Sequence, residues 1–349
     1  MHRPAARIQG RLACLLVLFV AVPAATQDVR LPLKSGSLKF AVIGDTGTAS
    51  REQNQVGQQM MTYHAKFPFE MVIMCGDNIY GADSPADFVD KFETPYKALM
   101  QAGVKFYASI GNHDNPTQRF YKNFNMGGER FYTFKPQNGI RFYALDSNYI
   151  DKPQLDWLEA ELAKSGSDWK IAFFHHPLYS SGKTHGSSLD LRARLEPIFV
   201  HYGVNVVFAG HDHIYERIKP QQGIYHFVVG SSGSLRRGDL TRTDMTVKGY
   251  DQDYVFMLVE IAGDEMYFAA LTRTGQIVDS GVLARPHPAA EPTPTPAPSA
   301  SPEATPLPVP RPTPTPAASP LPSPSPTPKA PAPKPKAKPK PKASPRKTG

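Results

Sequence analysis

Residues 71–80 read Met71-Val72-Ile73-Met74-Cys75-Gly76-Asp77-Asn78-Ile79-Tyr80, and their order decides the fold. An unbroken apolar run is the mark of a strand buried on both faces, as in a sheet covered by helices. Here the run from Phe69 to Cys75, unbroken from Met71 onward, stops at a glycine and then displays a carboxylate where the strand ends. Ligands in open α/β sheets gather at the carboxyl ends of strands. Four more apolar runs end in the same way, at Gly44-Asp45-Thr46-Gly47, Gly111-Asn112-His113-Asp114, His175-His176-Pro177 and Gly210-His211-Asp212-His213. Each turn alone is a weak signal. All five in this order point to a two-metal hydrolytic centre with Asp77 as its bridge.

The runs that deliver these turns span residues 38–43, 71–75, 105–110, 171–174 and 204–209, and each reads as a buried strand. Helical patterns fall between them at 52–64, 85–100, 151–163 and 189–202, with Trp157 packing on its helix. Asn138-Gly139 between alternating aromatic segments at 130–134 and 140–145 predicts a hairpin. Further strands are expected at 225–229, 254–261 and 265–271. Strands alternating with helices early and hairpins late indicate an α/β fold of mixed sheets with helices outside.

Both ends of the 349-residue chain differ from this body. Residues 1–26 carry Arg3, Arg7 and Arg11, an apolar run 12–22 and then small residues, the pattern of a secretory signal peptide. That run is too short to span a bilayer comfortably, so no integral membrane span is expected after cleavage, and a secreted or periplasmic location follows. From 286 to 349 the chain holds 24 of its 36 prolines and almost no bulky apolar side chains. Such a tail cannot bury a core and is expected to be disordered and extended. It also carries nine Lys and Arg against two Glu, whereas the body, 27–285, has 27 basic and 29 acidic residues. The basic balance therefore belongs to the tail, whose lysines suit anionic envelope polymers, and the near-neutral body gives no sign of nucleic-acid binding. The body has a single cysteine, Cys75, read as a buried and inert thiol, so it relies on its core, on metal or on both.

Carboxylate, amide and imidazole together suit iron, zinc or manganese, whereas calcium and magnesium prefer oxygen alone. Two such ions roughly 3.5–4 Å apart can activate water and stabilise both oxygens of an in-line displacement. Six of the eleven histidines lie in or beside the five turns, while His64, His201 and His226 read as structural.

In sequence order the five turns resemble the calcineurin-like metallophosphoesterase superfamily. Asp45-Thr46-Gly47, where most members have Asp-x-His, and Tyr80 three residues after Asp77 resemble the purple acid phosphatases, of the short tartrate-resistant type. The resemblance covers roughly residues 38–272 and implies a four-layer αββα sandwich of two mixed sheets flanked by helices. It further implies that Asp45, Asp77, Tyr80 and His213 hold ferric iron, and that Asp77, Asn112, His175 and His211 hold a second ion of iron, zinc or manganese. His113 resembles the family's phosphate-contacting histidine. His185, one residue later in its loop than the family's pattern, resembles the histidine that protonates the leaving group. His175 and His176 compete for one ligand position; Pro177-Leu178-Tyr179 aligns best with His175 as ligand and His176 at the rim.

The expected function is an exported phosphomonoesterase acting on small phosphoesters. Its rivals are a phosphodiesterase on the same scaffold and an envelope-binding protein whose metal fold is only a scaffold.

Overall fold

Alternation along one strand sets the layers. The computed structural model describes residues 31–285, and the candidate leader and tail lie outside them. In β1, Leu38–Ile43, Phe40 and Val42 face one core while Ala41 and Ile43 face another, as a period of two requires. β2, Met71–Met74, divides the same way, with Ile73 inward and Val72 and Met74 outward.

β1, β2 and β3, Lys105–Ala108, run parallel, with Phe40 opposite Met71 and Met71 opposite Lys105. Three antiparallel strands extend this sheet on the other side of β1, in the order β13-β12-β11-β1-β2-β3. They are β11, Val255–Ala262, β12, Glu265–Thr272, and β13, Ile277–Ala284. The second sheet has seven strands in the order β10-β8-β9-β7-β6-β5-β4. β4, Tyr132–Gln137, and β5, Ile140–Ala144, form the hairpin predicted around Asn138-Gly139. β5, β6 (Trp169–Phe173), β7 (Val206–Ala209) and β9 (Ile224–Val229) are parallel to one another. β8, Tyr215–Gln221, and β10, Thr246–Tyr250, close the edge antiparallel.

The two sheets pack face to face. Phe40 sits between them, with ring centroids 5.3 Å from Phe142 and 6.1 Å from Phe208, both edge-on. α1, Arg51–His64, covers the outer face of the first sheet through Val56, Met60 and Tyr63. α2, Pro85–Phe88, and α3, Thr94–Gln101, are joined by a π-helical stretch, Val89–Glu93, and the whole adds Phe92, Tyr96 and Leu99 to that face. α4, Lys152–Ala163, and α5, Leu189–Tyr202, cover the second sheet with Leu158, Leu162, Leu195 and Phe199. The result is helix, sheet, sheet, helix: the α/β sandwich of two mixed sheets that the resemblance implied.

β8, β10 and β13 had no counterpart in the sequence reading, for a physical reason. β10 and β13 are edge strands with one face in water, and β8 carries Glu216, Arg217, Lys219 and Pro220, so none shows a buried apolar run.

Candidate metal centre

Every turn singled out in the sequence follows a parallel strand, and all five end at one place. Asp45 follows β1, Asp77 and Tyr80 follow β2, and Asn112 and His113 follow β3. His175 follows β6, and His211 and His213 follow β7, so the centre draws on both sheets. The backbone departs from ordinary torsions to reach it. Asp45, Asp77 and His211 have φ of 55°, 51° and 70°, a left-handed conformation costing of order 1–3 kcal/mol in a residue with a side chain. Two glycines let these turns close: a Cβ on Gly111 would stand 2.2 Å from the Asp77 amide nitrogen, and one on Gly210 would stand 2.4 Å from Asp45 Oδ2.

Two groups of side chains could hold a metal ion. In one, ligand atoms of Asp45, Asp77 and His213 lie within 4.8 Å of one another. Tyr80 joins it, its Oη 3.4 Å from Asp45 Oδ1 and 3.2 Å from His213 Nε2. The other contains His175, His176 and His211 within the same 4.8 Å. Asn112 joins that group, its Oδ1 2.8 Å from His175 Nε2. Asp77 links the two, with Oδ1 3.5 Å from His175 Nε2.

The donor chemistry asks for cations. The Cys75 carbonyl can only accept, so His175 Nδ1, 3.0 Å away, donates to it and leaves the lone pair of Nε2 facing the site. That nitrogen lies 2.8 Å from Asn112 Oδ1 and 3.0 Å from His211 Nδ1, a convergence of possible ligand atoms that a positive ion would satisfy. Asp45 and Asp77 are 0% and 1% exposed, and among the described residues no Lys or Arg forms an ion pair with either. Burial, followed by the Asp77 carboxylate, pushes Asp45 well above the usual carboxylate range. Burial pushes the imidazoles the other way, His213 to about 4 and His211 to about 2, with His175 and His176 adding to the second. Neutral imidazoles with free lone pairs beside buried carboxylates fit iron, zinc or manganese.

Two exposed histidines flank the centre. His113 donates its backbone N–H to Asp77 Oδ1 at 3.0 Å, and its ring lies 5.0 Å from the Tyr80 ring. His185 lies over the other group, 4.0 Å from His211 ring to ring.

The sequence reading missed how both histidines are held. Asp114, from the His113 turn, accepts from Asn78 Nδ2, Ile79 N, Gly111 N and Gln118 Nε2, tying the third turn to the second. Asp212, between His211 and His213, accepts from Ser180 Oγ at 2.5 Å and Gly186 N at 3.1 Å, pinning the loop that carries His185. Thr184 Oγ1 adds a bond to Asp239. Their only signal in the sequence was a place inside the motifs. His176 lies closer in than a rim position suggests, within the second group, yet its Nδ1 is 2.9 Å from Ser147 Oγ, whose oxygen also accepts from His176 N. The structural reading of His226 agrees with its burial beside Tyr179, ring centroids 4.9 Å apart. Cys75 is free and buried.

Purple acid phosphatase 17 of Arabidopsis thaliana is 27% identical over 275 residues, 68% of this chain and 81% of that protein. Tartrate-resistant acid phosphatase type 5 of Oryctolagus cuniculus is 26% identical over 254 residues, 59% of this chain and 77% of its own length. Among solved structures, GAP50, described as the anchor in the inner membrane complex of Plasmodium, superposes with a TM-score of 0.63 at 19% identity, covering 72% of this chain and 90% of that one; it shares the fold. The family model described as calcineurin-like phosphoesterase matches residues 38–215, the stretch that contains all five turns. With its turns converging at one centre and more than half its length matched, this chain belongs to the calcineurin-like phosphoesterase family.

Proposed function

We propose that this protein is an exported binuclear phosphomonoesterase of the acid phosphatase kind. The observation that carries it is the pair of ligand groups joined through Asp77. Asp45, Asp77, Tyr80 and His213 hold one ion, ferric iron in this reading. Asp77, Asn112, His175 and His211 hold the second, iron, zinc or manganese. Two bound cations supply positive charge against the phosphoryl oxygens and bring the pKa of water toward neutrality.

The chain's own residues complete the site. His113 stands beside Tyr80, where a ring N–H reaches a phosphoryl oxygen and stabilises the charge that builds there. Water adds to phosphorus as the ester P–O bond breaks, and His185 gives a ring proton to the departing oxygen. Its exposed ring above His211, on a loop held by Asp212, supports that reading. Paired kcat/KM values on a monoester and a diester test the preference for monoesters, and a faster diester would move the reading to a phosphodiesterase.

His185→Ala is expected to slow an alkyl phosphate by about a hundredfold or more, the usual worth of general acid catalysis, and a nitrophenyl phosphate far less. The difference arises because a basic leaving oxygen needs the proton and an acidic phenol does not. Equal losses on both substrates would remove His185 from the role.

Burial, with Asp45 and Asp77 nearby, raises the Tyr80 phenol far above its ordinary value, and a cation bound beside it would oppose that shift. Tyr80→Phe in the iron-loaded protein is therefore expected to abolish a visible charge-transfer band while far-ultraviolet circular dichroism stays unchanged. A colourless iron-loaded parent protein would sink the tyrosinate assignment and leave the family membership untouched.

Export and binding of anionic polymers by the tail belong to the same proposal and rest on residues outside the described ones. No helix among the described residues is long and apolar enough to cross a membrane.

A further inference from the structure

Beside the metal centre lies a cavity of about 410 Å³, walled partly by the turns at Gly111 and His175 and partly by the segment after β5. Asn112 and His176 form its wall toward the metals, and Asp146, Ser147, Asn148 and Tyr149 line it from the segment after β5. Its volume is in the range of a small-ligand pocket.

Its chemistry is specific. No Lys or Arg lines it, and both of its carboxylates are already engaged: Asp114 by the four donors described above, Asp146 by Arg130 at 3.1 Å. A second phosphate would find no cation there. Hydroxyl groups, by contrast, would find both kinds of partner. Ser147 Oγ accepts from His176 N and lies 2.9 Å from His176 Nδ1, so Nε2 is the ring nitrogen left to hydrogen-bond a hydroxyl, which can donate to it or accept from it. Asn148 spends its amide N–H groups on the Ile110 and Gly111 carbonyls, at 3.3 Å and 3.2 Å, and its Oδ1 has no partner among the described residues. At the mouth Tyr149 is 63% exposed, an aromatic face open to the C–H face of a ring.

We infer that this cavity seats the leaving alcohol, and that it selects a neutral, ring-shaped, polyhydroxylated one, a sugar monophosphate, over a simple phenol or an alcohol carrying a second phosphate. The assignment rests on the phosphomonoesterase reading and adds its substrate class. His176 is on this view a hydrogen-bond partner of a substrate hydroxyl, which explains its closeness to the metal ligands without making it one.

The test compares glucose 6-phosphate, fructose 1,6-bisphosphate and phenyl phosphate on the metal-loaded protein, together with binding of the unhydrolysable phosphonate analogue of glucose 6-phosphate. Glucose 6-phosphate is expected to exceed the bisphosphate in kcat/KM by about tenfold. Tyr149→Ala and Asn148→Ala should each lower the ratio of kcat/KM for glucose 6-phosphate over phenyl phosphate by about tenfold, mainly through KM, as loss of a stacking face or a hydrogen bond would. Tyr149 is exposed, so its variant keeps the fold. A ratio unchanged in both variants, or preference for the bisphosphate, overturns the assignment while leaving the hydrolase intact. If no ester is turned over, the hydrolase reading falls, and phosphonate affinity decides the cavity alone: about tenfold weakening in Tyr149→Ala supports it, and equal affinity overturns it.

Discussion

Asp77→Asn is expected to lower kcat/KM by more than about a hundredfold and to leave the purified protein short of metal. Loss of a residue that merely orients a ligand already costs 10–100-fold in affinity or activity, roughly, and in the function proposed above Asp77 would serve two ions at once. Its Oδ1 faces His175 Nε2 at 3.5 Å and accepts the His113 N–H, so one carboxylate holds both ligand groups and the turn of a flanking histidine. Asparagine keeps the volume and removes the charge, so the fold survives while both ligand groups lose the negative charge they share. Metal stoichiometry together with steady-state rates reads the result. A variant with its full complement of metal and turnover within tenfold of the parent would rule out the bridge.

Phe40→Ala is expected to destabilise the protein by about 3–5 kcal/mol, the usual range for truncating a fully buried phenylalanine. Phe40 is 0% exposed and meets Phe142 and Phe208 of the facing sheet edge-on, so its loss opens a void between the two layers that neither backbone can close. Urea unfolding measures this as a lower midpoint at unchanged slope. A shift equivalent to less than about 1 kcal/mol would mean that the sheets repack more freely than their interlocking rings imply.

What the sequence made legible follows from where information about burial resides. Strands covered on both faces write themselves as apolar runs, so β1, β2, β3, β6 and β7 and the turns behind them were readable, and those turns carry the candidate ligands. The half-solvated strands β10 and β13 write no such run and passed unseen. Within the turns, residue type revealed what could bind metal but not what holds the binders in place. Asp114 and Asp212 stand inside the motifs, yet their roles depend on partners such as Gln118, Ser180 and Gly186 that only the folded chain brings near. His176 shows the same limit. Its ring is held by Ser147, 29 positions earlier in the chain. The cavity beside it left no trace either, since Asp146, Ser147, Asn148 and Tyr149 lie outside all five turns.

The split origin of the ligands gives the centre a mechanical role as well. One group combines Asp45 and Asp77 from the first sheet with His213 from the second, and the other combines Asn112 from the first with His175 and His211 from the second. An ion in either position is thus a rivet through both layers. A disulfide could have done the same, but the body has only one cysteine. Folding and metal content are then coupled, and chelation should loosen the sandwich as well as silence its chemistry. At a free metal concentration a hundred times its dissociation constant, each rivet would add about 2.7 kcal/mol, seen as a melting temperature that climbs with added metal.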